Sequence, residues 1–263
     1  MKLSIIIPVY NEAPFLKRCL NSLHLVDGAE IIIIDDCSTD GSTEILKEYE
    51  EKHKGENWTF IYSEKNSGVS MARNRGIWEA RGEYITFLDS DDSMSEDGIE
   101  KMVKALTGHT ENIIQFNHYR CHDGECKIMP RYSSVAGTFG LRDLPPKWAP
   151  VWNKCYHQNL IHDYSIEFIY DQQFDEDRQF NLACFRVDPH VTVINEACMC
   201  KHFDNEQSLC HTMTHEKIAM ALRMLSACLY DPTQSAEYYE LVKSCMIQHL
   251  ESKKFKETFG GSK

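Results

Sequence analysis

Short apolar runs alternate with helical patterns along the first 110 residues of this chain. Four runs, at 3–9, 30–35, 58–63 and 83–89, are rich in isoleucine and partly continuous in apolarity, as expected of strands covered on both faces. Between them, apolar residues recur every three or four positions, and the helices predicted from this spacing span 14–23, 43–53 and 69–80. This order predicts an α/β fold with a mostly parallel sheet and right-handed crossovers.

The pattern becomes irregular after residue 110. The pair Asp123-Gly124 predicts a hairpin turn, and a helix is predicted to begin near Asp175. Two amphipathic helical patterns occupy 214–256, with an interruption at 231–234, and the tail at 260–263 is predicted to be disordered. We therefore expect one α/β domain with halves at 1–110 and 111–213, followed by a helical appendage at 214–259.

A polar cluster follows each of the four predicted strands. These clusters read PVYNE, DDCSTDGS, SEKNSG and DSDDS in chain order. In open α/β sheets, ligands bind in the crevice outside the carboxyl ends of the strands. The sequence therefore predicts that four polar loops converge on one edge of the sheet and form the binding site there.

The last cluster crowds Asp89, Asp91 and Asp92 into four positions. Carboxylates this close disfavour each other's ionised form unless a cation or an array of hydrogen-bond donors compensates. Such a hard-oxygen cluster suits Mg²⁺ or Mn²⁺. The alternative is capping of the next helix, for which Ser95 is a suitable residue.

Two further segments have the chemistry of a nucleotide site. Asp36 follows a buried strand, where its carboxylate could accept a hydrogen bond from a base N–H or a ribose hydroxyl; a simple turn into the next helix is the alternative. The segment 66–76 offers Gly68, a helix N-terminus and the cations Arg73 and Arg75 to a phosphate. The sequence lacks the GxGxxG and GxxxxGK[ST] fingerprints, which argues against a dinucleotide enzyme or a P-loop NTPase.

Composition narrows the class of protein further. A net charge of −12 and a pI near 5.4 oppose binding to nucleic acid, which requires clustered lysine and arginine. The eleven cysteines are odd in number and the N-terminus does not resemble a signal peptide, so we expect reduced thiols in the cytoplasm. No apolar run approaches the roughly 18 residues of a membrane span, so contact with a membrane is expected to be peripheral.

Several of these segments together resemble family 2 glycosyltransferases of the GT-A fold. They are SIIIPVYNEAPFLKRCLNSL, IIIIDDCSTDGST, NSGVSMARNRGIWEARGEYITFLDSDD and, less closely, VWNKCY and FDEDRQF. The resemblance covers 3–106 tightly and 148–181 loosely. It implies an inverting transfer of a sugar from a nucleotide diphosphate donor, usually a UDP-sugar, to an acceptor hydroxyl.

The resemblance also implies roles for individual residues. The nucleotide-sugar site would comprise Pro8, Tyr10, Asn11, Glu12, Asp36, Arg73, Asp89 and Ser90. Asp91 would bind Mn²⁺ or Mg²⁺, with Asp89 as a further candidate ligand, and Asp177 would be the general base of an acidic pair with Glu176, which would also contact the acceptor. Apart from the resemblance, His202 is a weaker candidate for the metal shell and Trp152 for stacking on the acceptor sugar.

Some of these residues also have a purely structural interpretation. Glu176 and Asp177 could simply complement a helix dipole, although a helix start should also keep Asp177 ionised at neutral pH. Trp148 and Trp152 could pack in the core, and His202 could be an ordinary surface or core histidine. A zinc site among the histidines and cysteines of 118–126 matches no common ligand spacing, so a reduced hairpin is favoured there. Cys37 stands where the family commonly has glycine, and little consequence is expected.

We therefore expect 1–110 to bind the nucleotide sugar and 111–213 to provide the acceptor site and the base. The chain has neither the Q-x-x-R-W pattern nor the membrane helices of the processive synthases, which favours transfer of a single sugar to a saccharide or lipid-linked acceptor in surface-polysaccharide assembly. A sugar transferase to polyprenyl phosphate and a non-catalytic nucleotide-sugar-binding subunit are the alternatives.

Overall fold

The computed structural model describes residues 1–122, 124–129, 136–140, 149–170, 175–205, 222, 225–226, 234 and 236–251. Ten strands and seven helices lie within these ranges. In chain order they are β1 (Leu3–Val9), α1 (Ala13–Asn21), β2 (Ala29–Asp35), α2 (Ser42–Lys52), β3 (Trp58–Tyr62), α3 (Val69–Glu79), β4 (Tyr84–Phe87), β5 (Ser93–Met94), α4 (Gly98–Leu106), β6 (Ile113–His122), β7 (Glu125–Met129), β8 (Gly137–Gly140), β9 (Lys154–His157), α5 (Gln158–Asp163), α6 (Glu176–Val187), β10 (His190–His202) and α7 (Ala236–Glu251).

The predicted elements of the first 110 residues are confirmed. β1 to β4 and α1 to α3 occupy the predicted segments, and α6 begins one residue after Asp175. The hairpin is present as β6 and β7, with Gly124 at φ 80°, while Asp123 lies outside the described residues. α7 covers the second predicted C-terminal pattern. Most of the first pattern, and the 260–263 tail, lie outside the described residues.

One sheet contains all ten strands. Its main order is β3-β2-β1-β4-β9-β6-β10-β5, with β7 beside β6 and β8 beside β10. The pairs β2–β3, β1–β2, β1–β4 and β6–β10 are parallel. β9 is antiparallel to both of its neighbours and therefore joins the strands of the first 110 residues to β6 and β10.

Apolar side chains cover both faces of this sheet. Alternate residues of β1 point to opposite sides, so that Ile6 belongs to the core cluster that includes residues of α3, α5, α6 and α7, whereas Ile5 and Ile7 belong to the cluster that includes residues of α1, α2 and α4. This two-sided burial explains why the strands are apolar almost without interruption. Among the described residues, no helix combines the length and the apolar character needed to cross a membrane.

Gly76 allows α3 to pack closely against β1 and β2. A Cβ at this position would overlap Ile6 Cγ2 and lie 3.0 Å from Ile34 Cδ1, and both isoleucines are fully buried. Overpacking of this kind typically destabilises a protein by about 1–3 kcal/mol, which exceeds the roughly 1 kcal/mol that alanine gains over glycine in a helix. We expect Gly76→Ala to lower the free energy of unfolding in a denaturant titration.

Gly140→Ala is the matched control for this prediction, because a Cβ there meets no atom within 4 Å. Equal stability of the two variants would contradict the proposed close packing of α3.

Cys121 and Cys126 form a disulfide across the β6–β7 hairpin. The expectation that all cysteines are reduced is therefore wrong for this pair, because the register places the two residues directly opposite each other. Sulfurs joined in a disulfide are not thiolate ligands, so the pairing also removes the zinc alternative for this segment. The other cysteines of the described residues are free: Cys19, Cys37, Cys155, Cys184, Cys198, Cys200 and Cys245.

Candidate active site

The loops after β1 and β2 are joined by hydrogen bonds at the carboxyl edge of the sheet. Asn11 Oδ1 accepts from the Thr39 backbone N–H at 2.8 Å, and the Glu12 backbone N–H donates to Ser42 Oγ at 2.9 Å. Cys37 in the second loop has φ 66°, a left-handed conformation that glycine adopts without steric cost. Cys37 therefore adopts a conformation that is less favourable for a residue with a side chain than for glycine, and the expectation of little consequence stays a prediction.

Asp36 fixes the loop that leads into α3. Its carboxylate is 3% exposed and accepts hydrogen bonds from the backbone N–H groups of Ser67 at 3.0 Å and Gly68 at 2.6 Å. Gly68 has φ 86°, which glycine tolerates and which turns its N–H toward the carboxylate just before the helix begins. Asp36 thus connects the loops after β2 and β3. Because the Ser67 N–H lies 3.0 Å from both carboxylate oxygens, these contacts occupy three of the roughly four acceptor positions and leave about one.

Lys201 supplies a positive charge at the aspartate cluster. Its Nζ lies 2.8 Å from Asp92 Oδ2, 3.2 Å from Asp89 Oδ2 and 3.9 Å from Asp91 Oδ1. The three carboxylates also approach one another, with one oxygen of each within 4.8 Å of the others. The crowding that the sequence shows is therefore relieved in this structure by a lysine from the end of β10.

The surrounding charges give Asp89 and Asp92 different protonation states. Burial alone would raise the pKa of Asp89, but Lys201 and Arg73 lower it below its ordinary value. Burial raises the pKa of Asp92 to about 8, and the charges of Asp89 and Asp91 add to this effect against that of Lys201. Asp89 is thus held as a carboxylate, while Asp92 can carry a proton at neutral pH.

Arg73 joins this cluster to the second acidic group. Its Nη2 donates to Asp89 Oδ1 at 3.0 Å, while its Nη1 donates to Asp177 Oδ1 at 2.9 Å and to Glu176 Oε1 at 3.2 Å. The guanidinium is 4% exposed and lies over the ring of Phe168. α3 thereby brings the end of β4 and the start of α6 to one place.

Burial governs the ionisation of Glu176 and Asp177. It raises the pKa of Glu176 to about 7, aided by the charge of Asp177, and it also raises the pKa of Asp177, in both cases against the effect of Arg73. Loss of solvent therefore opposes the ionised form that the helix start is expected to favour at Asp177. With its pKa at about 7, Glu176 can retain a proton near neutrality.

Asp91 has the surroundings of a metal ligand. Its Oδ2 accepts from Asn205 Nδ2 at 2.9 Å, and its backbone carbonyl accepts from Arg18 Nη2 at 2.5 Å. Of the three aspartates it lies farthest from the Lys201 ammonium, whereas Asp89 is engaged on both oxygens by cations. Carboxylate oxygens in this arrangement fit a hard divalent cation, with Asp91 as the most available ligand.

Two of the predicted residues lie beside the aspartate cluster. The ring Nε2 of His202 lies 2.9 Å from Ser93 Oγ and its backbone N–H donates to Asp92, and its role as a metal ligand stays a prediction. Trp152 is 7% exposed and packs against His118 and Lys201, which favours the core interpretation over stacking on a sugar.

The remaining residues predicted for the nucleotide-sugar site lie along the same edge. Pro8 is buried within β1, Tyr10 is exposed at its end, and Ser90 is buried between Asp89 and Asp91. Glu12 is bridged to Asp91 through Asn205, and burial together with the charge of Asp91 raises the pKa of Glu12 to about 7.

Sequence reasoning missed three polar residues that organise the site. Lys201, Arg18 and Asn205 touch the aspartate cluster from β10, α1 and the segment after β10. Lys201 directly precedes His202, which the sequence analysis did consider, but a single lysine near a strand end is typical of a solvated surface. Its role depends on a contact between residues more than a hundred positions apart.

The fold and the two acidic groups at its carboxyl edge define a GT-A type α/β protein. The profile of glycosyl transferase family 2 matches residues 4–172, and the chain belongs to that family. The resemblance drawn from the sequence motifs is thereby confirmed.

Curated relatives and solved structures agree with this assignment. The chain is 28% identical over 205 residues to the uncharacterized glycosyltransferase EpsJ of Bacillus subtilis, covering 73% of this chain and 58% of EpsJ. It is 25% identical over 201 residues to the poly(ribitol-phosphate) beta-N-acetylglucosaminyltransferase TarS of Staphylococcus aureus, covering 74% of this chain and 34% of TarS. The chain thus spans little more than half the length of EpsJ and a third of TarS.

Structural similarity extends over nearly the whole chain. The crystal structure of S. aureus TarS 1-349 in complex with UDP-GlcNAc aligns with a TM-score of 0.81 at 20% identity, covering 99% of this chain and 75% of that one. The mannosyltransferase PcManGT from Pyrobaculum calidifontis, in complex with GDP-Man and Mn²⁺, aligns with a TM-score of 0.62 at 15% identity, covering 95% and 70%. At these identities the likeness shows the fold, and it confirms the predicted GT-A architecture.

Proposed function

We propose that this chain is an inverting glycosyltransferase that moves one sugar from a nucleotide diphosphate donor, a UDP-sugar, to a hydroxyl of a saccharide or lipid-linked acceptor in surface-polysaccharide biosynthesis. The observation that carries this proposal is the bridge formed by Arg73 between Asp89 and the pair Glu176–Asp177. One guanidinium thus holds together the carboxylate that we assign to the donor side, Asp89, and the pair that we assign to the acceptor side. The complexes of TarS with UDP-GlcNAc and with UDP support the choice of donor.

On the donor side, the proposal assigns Asp91 to Mn²⁺ or Mg²⁺ and Asp36 to the base. Bound metal would stabilise the negative charge that develops on the departing nucleotide diphosphate. Lys201 and Arg73 hold Asp89 ionised and fixed beside that position. Asp89 can then accept a hydrogen bond from the donor without rearrangement.

On the acceptor side, the proposal assigns Asp177 as the general base. Its side chain is 23% exposed, with Oδ1 on Arg73 and Oδ2 on the Val151 backbone N–H at 3.1 Å. A carboxylate fixed in this way can take the proton of an acceptor hydroxyl as the new glycosidic bond forms. Attack by the hydroxyl opposite the departing diphosphate gives inversion and needs no covalent intermediate.

Nucleotide release from a panel of nucleotide sugars, measured with Mn²⁺ and with saccharide, lipid-linked or polyprenyl phosphate acceptors, tests the proposal. We expect UDP to be released faster when a saccharide or lipid-linked hydroxyl acceptor is present. Acceleration by polyprenyl phosphate alone would support the alternative transferase. Binding of nucleotide sugar without release under any condition would support a non-catalytic subunit.

A divalent cation is expected to strengthen UDP binding through Asp91. Hard cations of this size take few protein ligands when phosphates supply the rest, so the effect should depend on this carboxylate. In calorimetry, UDP should bind the wild type more tightly with Mn²⁺ than without it, and Asp91→Asn should lose the difference. Asp97→Asn, a change at an exposed residue of the following turn, is the control. Equal UDP affinity with and without Mn²⁺, together with full turnover of Asp91→Asn, would refute the metal role.

Asp36 is expected to select uracil. The remaining acceptor position of its carboxylate suits the uracil N3–H, and a base without that proton leaves a buried acceptor unsatisfied at a cost of about 1–3 kcal/mol. UDP should therefore displace a bound donor more effectively than CDP in a competition assay, because cytosine N3 carries no proton. Displacement by CDP as effective as by UDP would show that Asp36 only anchors its loop.

A further inference from the structure

Lys154 is an ammonium group buried in the centre of the sheet. It is the first residue of β9, between β4 and β6, and its relative exposure is 0%. Taking an ammonium out of water costs several kcal/mol unless hydrogen bonds and charges compensate. The burial of this charge on a central strand therefore needs a physical reason. The roles proposed above for the donor and acceptor sides do not include Lys154.

The hydrogen bonds of Lys154 lead to the segment before β9. Its Nζ donates to the backbone carbonyl of Pro150 at 2.5 Å and to Asn153 Oδ1 at 3.1 Å, while its backbone N–H donates to the carbonyl of Val151 at 3.1 Å. The side chain and the backbone of Lys154 thus close a tight loop over residues 150–154. This loop contains the peptide bond between Pro150 and Val151.

That peptide bond connects Lys154 to the proposed base. Its carbonyl accepts from the ammonium, and its N–H, which belongs to Val151, donates to Asp177 Oδ2 at 3.1 Å. Because the peptide is planar, orienting the carbonyl also orients the N–H. Hydrogen bonds in such a chain polarise one another, so that the ammonium strengthens the bond to the carboxylate.

A second pair of side chains holds the same segment from the other end. Asn181 Nδ2 donates to the carbonyl of Ala149 at 2.7 Å and to that of Asp177 at 2.9 Å, while Tyr156 OH donates to Asn181 Oδ1 at 2.9 Å. The segment 149–151 is therefore fixed between β9 and α6. Little freedom remains for Asp177 Oδ2 to change its direction.

We propose that Lys154 is a positioning residue for sugar transfer, which acts through the Pro150–Val151 peptide to hold Asp177 in the orientation that accepts the acceptor proton. This inference rests on the proposed function. The charge of Lys154 also favours the ionised form of Asp177, as Arg73 does, whereas burial and the charges of Asp89 and Glu176 oppose it. Lys154 itself touches neither the donor nor the acceptor.

The test compares Lys154→Met with Cys155→Ala. Both residues are fully buried neighbours on β9, and Cys155 lies in the opposite core cluster from the α6 contacts. Misplacement of a catalytic group by about 1 Å can cost about 100-fold in rate, so we expect Lys154→Met to lower kcat by about 10- to 100-fold. The KM for the donor and the affinity for UDP should stay close to wild type. Cys155→Ala should keep the wild-type kcat.

A double-mutant cycle separates positioning from general destabilisation. In the Asp177→Asn background, Lys154→Met should cause no further loss of kcat, because the group that it orients has already lost its basicity. If Lys154→Met does not fold, Lys154→Gln replaces it in both assays. Glutamine keeps a hydrogen-bond donor for the Pro150 carbonyl but carries no charge.

The outcomes distinguish this inference from the proposed function. A wild-type protein that transfers no sugar to any acceptor contradicts the proposed function. The positioning role alone is contradicted if the wild type transfers sugar, Asp177→Asn does not, and the Lys154 variants keep the wild-type kcat. Loss of kcat that is equally large in the Asp177→Asn background, or that appears in Cys155→Ala as well, would also overturn it.

Discussion

Replacing Asp177 with asparagine is expected to abolish most transfer to the acceptor while leaving metal-dependent donor binding nearly unchanged. Asparagine keeps the volume and can still accept from the Val151 N–H, but it cannot take a proton. Proton removal by a positioned group is typically worth about 10²–10⁴ in rate. Steady-state kcat for transfer and calorimetric affinity for the UDP-sugar are the two measurements.

Glu176→Gln is the matched control for the base. It alters the neighbouring carboxyl, which shares Arg73 with Asp177, and should reduce transfer less if Glu176 orients the site or binds an acceptor hydroxyl. Because burial raises the pKa of Glu176 to about 7 and also raises that of Asp177, the pair gains protons as the pH falls through neutrality, and transfer should fall with it. Near wild-type transfer by Asp177→Asn, or a loss of donor binding as severe as the loss of turnover, would place the base elsewhere.

Replacing Arg73 with methionine is expected to be the most destabilising single change in the site. The substitution leaves Asp89, Glu176 and Asp177 without the guanidinium that bonds all three. Removing one partner of a buried ion pair typically costs about 3–5 kcal/mol, because the remaining charge stays buried and uncompensated. We expect a loss of this order in the free energy of unfolding at pH 8, measured by denaturant titration.

Arg75→Met on the same helix controls for the loss of an arginine, since Arg75 is exposed. The stability deficit of Arg73→Met should shrink as the pH is lowered from 8 to 5, because protonation removes the charges left without a partner. A deficit that does not change with pH, or that equals the effect of Arg75→Met, would show that the guanidinium contributes mainly through packing on Phe168.

The sequence was sufficient for the parts of the fold that local patterns determine. The isoleucine-rich runs of β1 and β2 and the helices between them follow from periodicity alone, and the polar loops at their ends follow from the direction of parallel strands. The carboxylates of the site could be predicted for the same reason. Asp89 and Asp91 follow β4 directly, so their place at the edge needs no knowledge of distant contacts.

Distant contacts explain what the sequence could not provide. Periodicity does not state which strands pair, and so it could not predict that β9 enters the sheet antiparallel beside β4. It also could not bring Lys201 to Asp92. The sequence indicated that the aspartates need a compensating positive charge. It pointed to a metal ion and not to Lys201, because the lysine lies more than a hundred residues away in the chain.

The late position of β9 in the chain has a consequence for biosynthesis. β4 is complete at Phe87, but its outer side pairs with residues 155–157, which leave the ribosome much later. Until then the nascent sheet exposes a row of unpaired N–H and C=O groups on a strand that is fully buried in the finished protein. A fragment ending near residue 110 would keep this open edge permanently. We therefore expect such a fragment to aggregate. The growing chain should avoid aggregation through rapid docking of β9 or through binding of chaperones to the open edge.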